Sequence, residues 1–573
     1  MIAGLCRIAA ALAMAGLPVV AVAQAIPPSE QPGRERERFT EPAAPRARPS
    51  GGMISLPSTV APAGAEKTTL TIRSVRVTGS TIYTEADFLP LYQDFLGRPA
   101  TLQDVYDLAR RITEKYGNDG YVLSRAIVPP QSLSSRGAAL RIQVVEGYVD
   151  RVEWPTAKLA RYRDFFTDYA AKIVADRPAN IRTLERYLLL ANDLPGLKFS
   201  TSLRPSKTQP AASTLVVEVT EKPVDALARI DNRGTRARGP YEFLGSATVN
   251  NFFGGHEAFT MSYAGSFQLR ELQYVAASYR QVLNSEGLTA FVNGSYSWGK
   301  PGTTDLETLD YKNHSTVFEA GLSYPVIRAR ERNLTFSGLF FLTDDDGSIF
   351  DNPSIPPSTR DRLRGFRVKA DGDFADRFLG INQVNVTFSQ GFEGLGSTEN
   401  GNPLASRFAG RVDFSKVEGT VSRLQPLFAN FSLLAAAYAQ YAMTPLLVSE
   451  QCGYGGRFFG RAFDPSEMLG DHCWEVLGEL RYDMPLSFSP FAMARLSLAQ
   501  LYAFADHGKV YNLHNVTNDP NSGLPASVEG TSAGGGVRFG WLDSKLTADL
   551  SAAKAVEGPR DDWRFFFILA AKY

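Results

Sequence analysis

Beyond Pro223 the chain alternates polar and apolar positions with a period of two as far as its last residue. In WEVLGELRYDM, Trp474, Val476, Leu480, Tyr482 and Met484 share one face, and Glu475, Glu479, Arg481 and Asp483 the other. In KLTADLSA, Leu546, Ala548 and Leu550 oppose Lys545, Thr547 and Asp549; in the C-terminal WRFFFILAAKY, Trp563, Phe565, Phe567, Leu569, Ala571 and Tyr573 line up. A soluble sandwich alternates too, but with shorter strands and an apolar face hidden from water. Here charges fill one face and aromatics sit at strand ends. This is the pattern of a transmembrane antiparallel β-barrel, apolar towards lipid and polar towards a wet lumen, with every backbone group paired by closure. About 16 candidate strands fit over 224–573. Phe567, Leu569 and the terminal Tyr573 form the C-terminal barrel signal.

Upstream, between Leu70 and about Pro223, a mixed αβ pattern occurs twice. In the first copy, 69–148, TLTIRSVRV reads as a strand. Thr101 and Asp104 then start a helix with Leu102, Val105, Leu108, Ile112 and Tyr116 on one face, stopped at Gly117. Strands around LSRAIV and AALRIQVVEG follow. The second copy, 149–223, has a helix around NIRTLERYLLLAND and strands KFSTSLR and STLVVEVTE. Each unit, about 75 residues, is large enough for a modest core.

The first 25 residues, with Arg7, an apolar run and the ending Ala23-Gln24-Ala25, read as a secretory signal peptide that carries Cys6 away. Residues 26–68, rich in Pro, Ala, Gly and Ser, read as a linker. A short plug helix near Glu30–Phe39 is weighed there against Pro32 and Gly33. No later run of about 20 apolar residues exists to cross a membrane as a helix. Lys+Arg and Asp+Glu both number 60, and export makes a nucleic-acid partner less plausible still. The 49 glycines, 11% aromatics and mean hydropathy of -0.16 suit a β-rich, turn-rich chain.

Catalytic motifs are not found. GYGGRFFG lacks a Gly-Lys-Ser/Thr ending, there is no G-x-S-x-G elbow, and the five histidines are scattered. Glu475 and Glu479 read as solvated pore lining. The expectation is a protein that is not an enzyme and has no cofactor or metal.

From Leu70 to Tyr573 the chain resembles the two-partner secretion transporters (TpsB type, haemolysin activator/secretion proteins), outer-membrane barrels with two periplasmic POTRA domains. The residues that carry the resemblance are GYVLSRAIVPPQ (120–131), VVEGYVDRV (144–152), LLLANDLPG (188–196), IDNRGTRARG (230–239), and Ser449-Glu450-Gln451 followed by Gly455-Gly456. The resemblance implies that the loop after that segment, about 452–473, folds into the barrel. At its tip Gly460, Arg461, Ala462 and Phe463 stand where the family has Val-Arg-Gly-Phe/Tyr. Alanine disfavours positive φ, so the tip's backbone is expected to depart from the family's. The family arginine pairs with an aspartate of a Phe-x-Asp motif, supplied here by Phe504 and Asp506, so an Arg461–Asp506 ion pair is expected. In the same picture Cys452 and Cys473 flank the loop. A disulfide there would be worth roughly 3 kcal/mol in the chain-entropy model. Free thiols, or a metal pair with His472, are the alternatives.

The resemblance also implies the activity. A large unfolded exoprotein is caught by the POTRA domains and threaded outward without nucleotide hydrolysis, in a Gram-negative outer membrane containing lipopolysaccharide and after insertion by the barrel assembly machinery. The rivals are an outer-membrane assembly factor of the same superfamily, a passive porin, and a ligand-gated uptake receptor, which would need a larger plug domain.

Overall fold

The computed structural model describes residues 26–39, 44–49, 61–135, 137–350, 353, 358–486 and 496–573. The signal-peptide region lies outside them. Sixteen antiparallel strands, from Val224–Asp231 to Trp563–Lys572, close into one barrel. Closure is made by the first and last strands, from Leu227↔Lys572 to Asp231↔Ile568. The Tyr573 amide adds a hydrogen bond to the Ala226 carbonyl at 2.9 Å, and the Tyr573 carbonyl accepts from Lys222 Nζ at 2.8 Å. Closure leaves no strand edge unpaired in lipid, the requirement that makes barrels possible there. Among the described residues no helix is long and apolar enough to cross a membrane.

Alternation sets the two faces. Phe259, Met261, Phe366, Val368, Trp474, Val476, Phe565, Leu569 and Tyr573 are exposed on the outer wall. That is the lipid-facing arrangement, since apolar surface exposed to hydrocarbon carries no hydration cost. Inward positions such as Glu319, Glu475, Glu479 and Asp506 are buried instead of solvated. The lumen is therefore filled.

Before the barrel come two αβ units. In the first, Pro99–Thr101, Thr69–Thr78, Ala138–Val145 and Arg125–Ile127 form a sheet in that order, its two central strands parallel. The helix Leu102–Asn118 begins with a capping box between Thr101 and Asp104 and buries Val105, Leu108, Ile112 and Tyr116 against the sheet. A second helix, Glu85–Tyr92, escaped the sequence reading because Pro90 lies within it. In the second unit the sheet order is Tyr148–Glu153, Ala212–Glu221, Leu197–Pro205, packed by Phe166–Ala175 and Ile181–Asn192. The helix Phe166–Ala175 was also not anticipated.

This second unit is bolted to the inner rim of the barrel. Arg328 makes a bidentate pair with Asp193 at 2.6 and 2.8 Å, and Glu286 accepts from Tyr187 and Arg186. In the turn after Glu242–Asn250, Gly254 O accepts from the Arg163 amide at 2.7 Å, and His256 Nε2 donates to the Arg163 carbonyl at 2.6 Å. The imidazole lies among Tyr162, Phe165 and Phe166, with Arg163 and Glu257 as its charged neighbours. Burial pushes its pKa down. The unfolded state therefore binds the proton more readily, and this contact weakens as pH falls below the ordinary histidine value of about 6.5. Hydrogen exchange at the Arg163 amide, corrected for the intrinsic rate, should accelerate below that pH in the wild type and stay flat in His256→Phe.

Candidate functional site

The site is the content of the lumen. The connection between the strands Phe431–Ala442 and His472–Asp483 turns inward instead of projecting out. It contains a 3-10 turn, Val448–Glu450, and a hairpin of Cys452–Tyr454 with Met468–Gly470. Cys452 and Cys473 are joined by a disulfide with Cα atoms 6.4 Å apart, tying the hairpin to the start of the next barrel strand. Glu450, 3% exposed, is fixed by Arg367 at 2.5 Å and Lys416 at 2.9 Å.

At the loop tip the structure corrects the expected ion pair. The Arg461 guanidinium does not bond Asp506; it meets Glu479 at 2.5 Å and lies over the Phe504 ring, 4.3 Å from its centre. Asp506 instead accepts from the Gly460 amide at 3.0 Å, the Tyr454 hydroxyl at 3.0 Å and the Ser532 hydroxyl at 2.5 Å. The aspartate thus holds the tip's backbone while a glutamate takes its charge. Glu479, 0% exposed, also binds Arg481 at 2.7 Å and Arg538 at 2.8 Å, so the reading of it as solvated pore lining fails. Three guanidinium groups around one carboxylate explain how so buried a charge is tolerated. Period two had placed Glu479 inward, but no sequence signal paired it with Arg461 across the lumen.

The left-handed residue is Gly460, not Ala462. Gly460 has φ +65°, and a Cβ there would sit 2.8 Å from the Gly455 backbone, whereas Ala462 is absent from the positive-φ residues and is fully buried. The exchange of valine for glycine and of glycine for alanine is thereby consistent with a tip whose left-handed residue comes before the arginine. Phe463, 2% exposed, packs with Tyr454, Met468 and Phe504. Tyr454 lies so close to Gly508 that any side chain there would strike its ring. Both sides of the barrel seam hold the tip as well. Arg233, just after the first strand, donates to the Arg461 carbonyl at 2.8 Å, and Arg564 of the last strand donates to the Ala462 carbonyl at 3.2 Å. Phe567, Leu569 and Tyr573 of the C-terminal signal lie outside this network, on the last strand or at its end; the Phe567 amide donates to Asn232 Oδ1 at 2.8 Å.

The second occupant is the stretch that reads as a linker with a short plug helix as the alternative; over residues 26–39 the structure has the alternative, buried in the lumen. Residues 26–39 run through the lumen as a 3-10 turn, Pro28–Glu30, and a helix, Glu35–Phe39, broken at Pro32-Gly33. The helix is shorter than the stretch weighed from sequence. Its anchoring is ionic. Arg238, completely buried, binds Glu30 at 2.7 Å and Glu35 at 2.9 Å; Arg36 makes a bidentate pair with Glu319; Arg38 lies 3.7 Å from Glu242. Arg34 donates to the Gln451 carbonyl at 2.8 Å and the Ser466 hydroxyl at 3.1 Å, joining this segment to the inward loop. The composition that suggests disorder in water is neutralised here by a charged wall. Among the described residues no cluster of His, Cys, Asp and Glu suits a metal ion.

A barrel preceded by two αβ units and filled by an inward loop and its own N-terminal segment defines a class of outer-membrane transporter. Residues 70–147 match the POTRA domain, ShlB-type, and residues 212–535 match the haemolysin secretion/activation protein family ShlB/FhaC/HecB. The chain belongs to that family, the two-partner secretion transporters, which reside in the outer membrane with periplasmic POTRA domains and export a partner exoprotein. It is 23% identical over 496 residues to the outer membrane transporter CdiB of Dickeya dadantii (strain 3937), covering 83% of this chain and 82% of the relative. It is 22% identical over 482 residues to the heme/hemopexin transporter protein HuxB of Haemophilus influenzae (strain 86-028NP), covering 82% and 81%. The solved structure of CdiB from Escherichia coli shares the fold, with a TM-score of 0.68, 20% identity and coverage of 94% and 96%.

Proposed function

We propose that this chain captures an unfolded exoprotein in the periplasm through its POTRA domains and passes it through the barrel, without nucleotide hydrolysis, once the lumen is cleared. The observation that carries this reading is that both obstructions, the N-terminal segment and the inward loop, are held to the barrel wall by side-chain contacts, ion pairs among them, and not by a backbone ladder. Such contacts can be exchanged for those of a passing chain without unpairing the barrel. An entry point is available at the POTRA sheets. Leu197–Pro205 is an edge strand, paired on one side only, with Ser200 to Arg204 exposed. An extended client adds to such an edge through backbone hydrogen bonds. Folding of the client outside would bias its diffusion. The name of one relative, heme/hemopexin transporter protein, makes a haem-related exoprotein one candidate client. Insertion of this chain would use the barrel assembly machinery, reading Phe567, Leu569 and Tyr573.

The test is co-expression with a candidate large exoprotein, comparing cells with and without this chain. Accumulation of that protein in the medium only when the chain is present supports the reading. If secretion is unchanged while other outer-membrane proteins lose abundance, the chain assembles barrels instead.

A further inference from the structure

The outer wall breaks its own rule in one place. Strands Lys312–Arg328, Arg332–Ser348 and Thr359–Ala375 each run 17 residues, longer than the roughly 9–11 needed to cross a bilayer. Their outward positions are apolar up to a tier of packed rings, where Phe340, Phe366 and Phe392 stack with centres 5.3 to 6.1 Å apart. Directly beyond it, on the same outward parity as Phe366, come Arg364, Arg362 and Arg360. The register places Leu342 opposite Arg364, Asp344 opposite Arg362 and Asp346 opposite Arg360, and His314 stands across from Asp346. At about 3.4 Å per residue and a tilt near 45°, the three arginines stand roughly 5 to 14 Å above the rings. That is the level of lipid headgroups, since aromatic belts mark the interface.

We infer that this ladder is a docking site for the phosphate groups of a phosphorylated saccharolipid of the outer leaflet. Arg362 binds Asp346 at 2.7 Å, so the carboxylate pre-orients its guanidinium fork, while Arg364, buried against Asp344 and the carbonyls of Thr343, Leu363 and Leu395, forms the base of the ladder. Arg360, half exposed, reaches Asp346 only at 3.4 Å. With Lys312 and Lys300 alongside, and Asp310 between them, cations outnumber carboxylates by five to three. A planar guanidinium array on a rigid sheet suits phosphate oxygens, which it can engage bidentately. The flanks suit acyl chains: the stacked Tyr296 and Trp298 on one side, Phe318 on the rung of Arg364, and Phe336 below. A saccharolipid is favoured over a glycerophospholipid because the charged tier extends through several rungs, as a sugar carrying more than one phosphate does. The site lies on the outer wall, apart from the lumen, and depends only on the outer-membrane location.

The test uses the full-length mature protein in detergent micelles, with binding read by microscale thermophoresis. The probes are purified lipopolysaccharide, the same material stripped of phosphate, and phosphatidylglycerol. Intact lipopolysaccharide should bind at least tenfold tighter than either of the others, and the double variant Arg360→Gln, Arg362→Gln should lose at least tenfold. Should that variant fail to fold, Asp344→Asn with Asp346→Asn provides the opposite arm, in which binding should tighten. Equal binding of intact and stripped material, equal binding of phosphatidylglycerol, or indifference to both variants would overturn the assignment.

Discussion

Glu479→Ala is expected to release the inward loop while the barrel still assembles. The carboxylate is fully buried and shared by Arg461, Arg481 and Arg538, so its removal leaves Arg461 and Arg481 without their carboxylate partner, crowded beside Arg538, which keeps only Asp549 at 2.9 Å. Removing one partner of a buried pair costs about 3–5 kcal/mol, and Arg461 can relieve that cost only by carrying the tip away from the wall. Tryptic cleavage after Arg457 or Arg461 in the purified protein should accelerate at least tenfold, and secretion should be lost with barrel abundance unchanged. Asp506→Ala should act through the backbone instead, freeing the Gly460 amide and the Tyr454 hydroxyl and leaving the Arg461–Glu479 pair made. If Glu479→Ala resists trypsin as the wild type does, while Asp506→Ala alone is cut faster, the charge at the tip does not hold the loop.

Arg238→Ala should open the pore from the other end. This one guanidinium, with no exposed surface, lies against both Glu30 and Glu35, and without it two buried carboxylates of the N-terminal segment lose their main counter-ion. Expulsion of the segment into water relieves both, whereas the barrel ladder is untouched. The single-channel conductance in planar bilayers should rise several-fold, to the value given by a chain lacking residues 26–39. Cells carrying the variant should also become sensitive to large antibiotics that the outer membrane excludes. A conductance equal to that of the wild type would mean that the segment is held by its remaining contacts, and that the ionic lock described here is not what retains it.

The parts of the molecule that were legible in the sequence are those in which a local pattern has a single physical solution. Alternation in segments such as 474–484 admits only one way to satisfy both hydrocarbon and a wet lumen, and the closed barrel follows. The capping box at Thr101 and Asp104 marks the start of its helix for similar reasons, since the orphan amides of a first turn need those side chains. The helices Glu85–Tyr92 and Phe166–Ala175 were missed because a proline inside one, and weak start signals on the other, left the local pattern undecided.

The site shows where such reasoning ends. The sequence by itself determined that Arg461 lies in an inward loop by family likeness, that Glu479 and Asp506 face the lumen, and that Arg34, Glu35, Arg36 and Arg38 are a charged run. Only the tertiary structure decided which charge meets which. Arg461 reaches Glu479 on the neighbouring strand instead of Asp506, and of the two readings of the charged run, linker or plug, the lumen wall selects the plug. The physical reason is the same in both cases. Backbone periodicity fixes the direction of a side chain within its own strand, but an ion pair depends on distances across a closed barrel, which are set by strand register and loop path together.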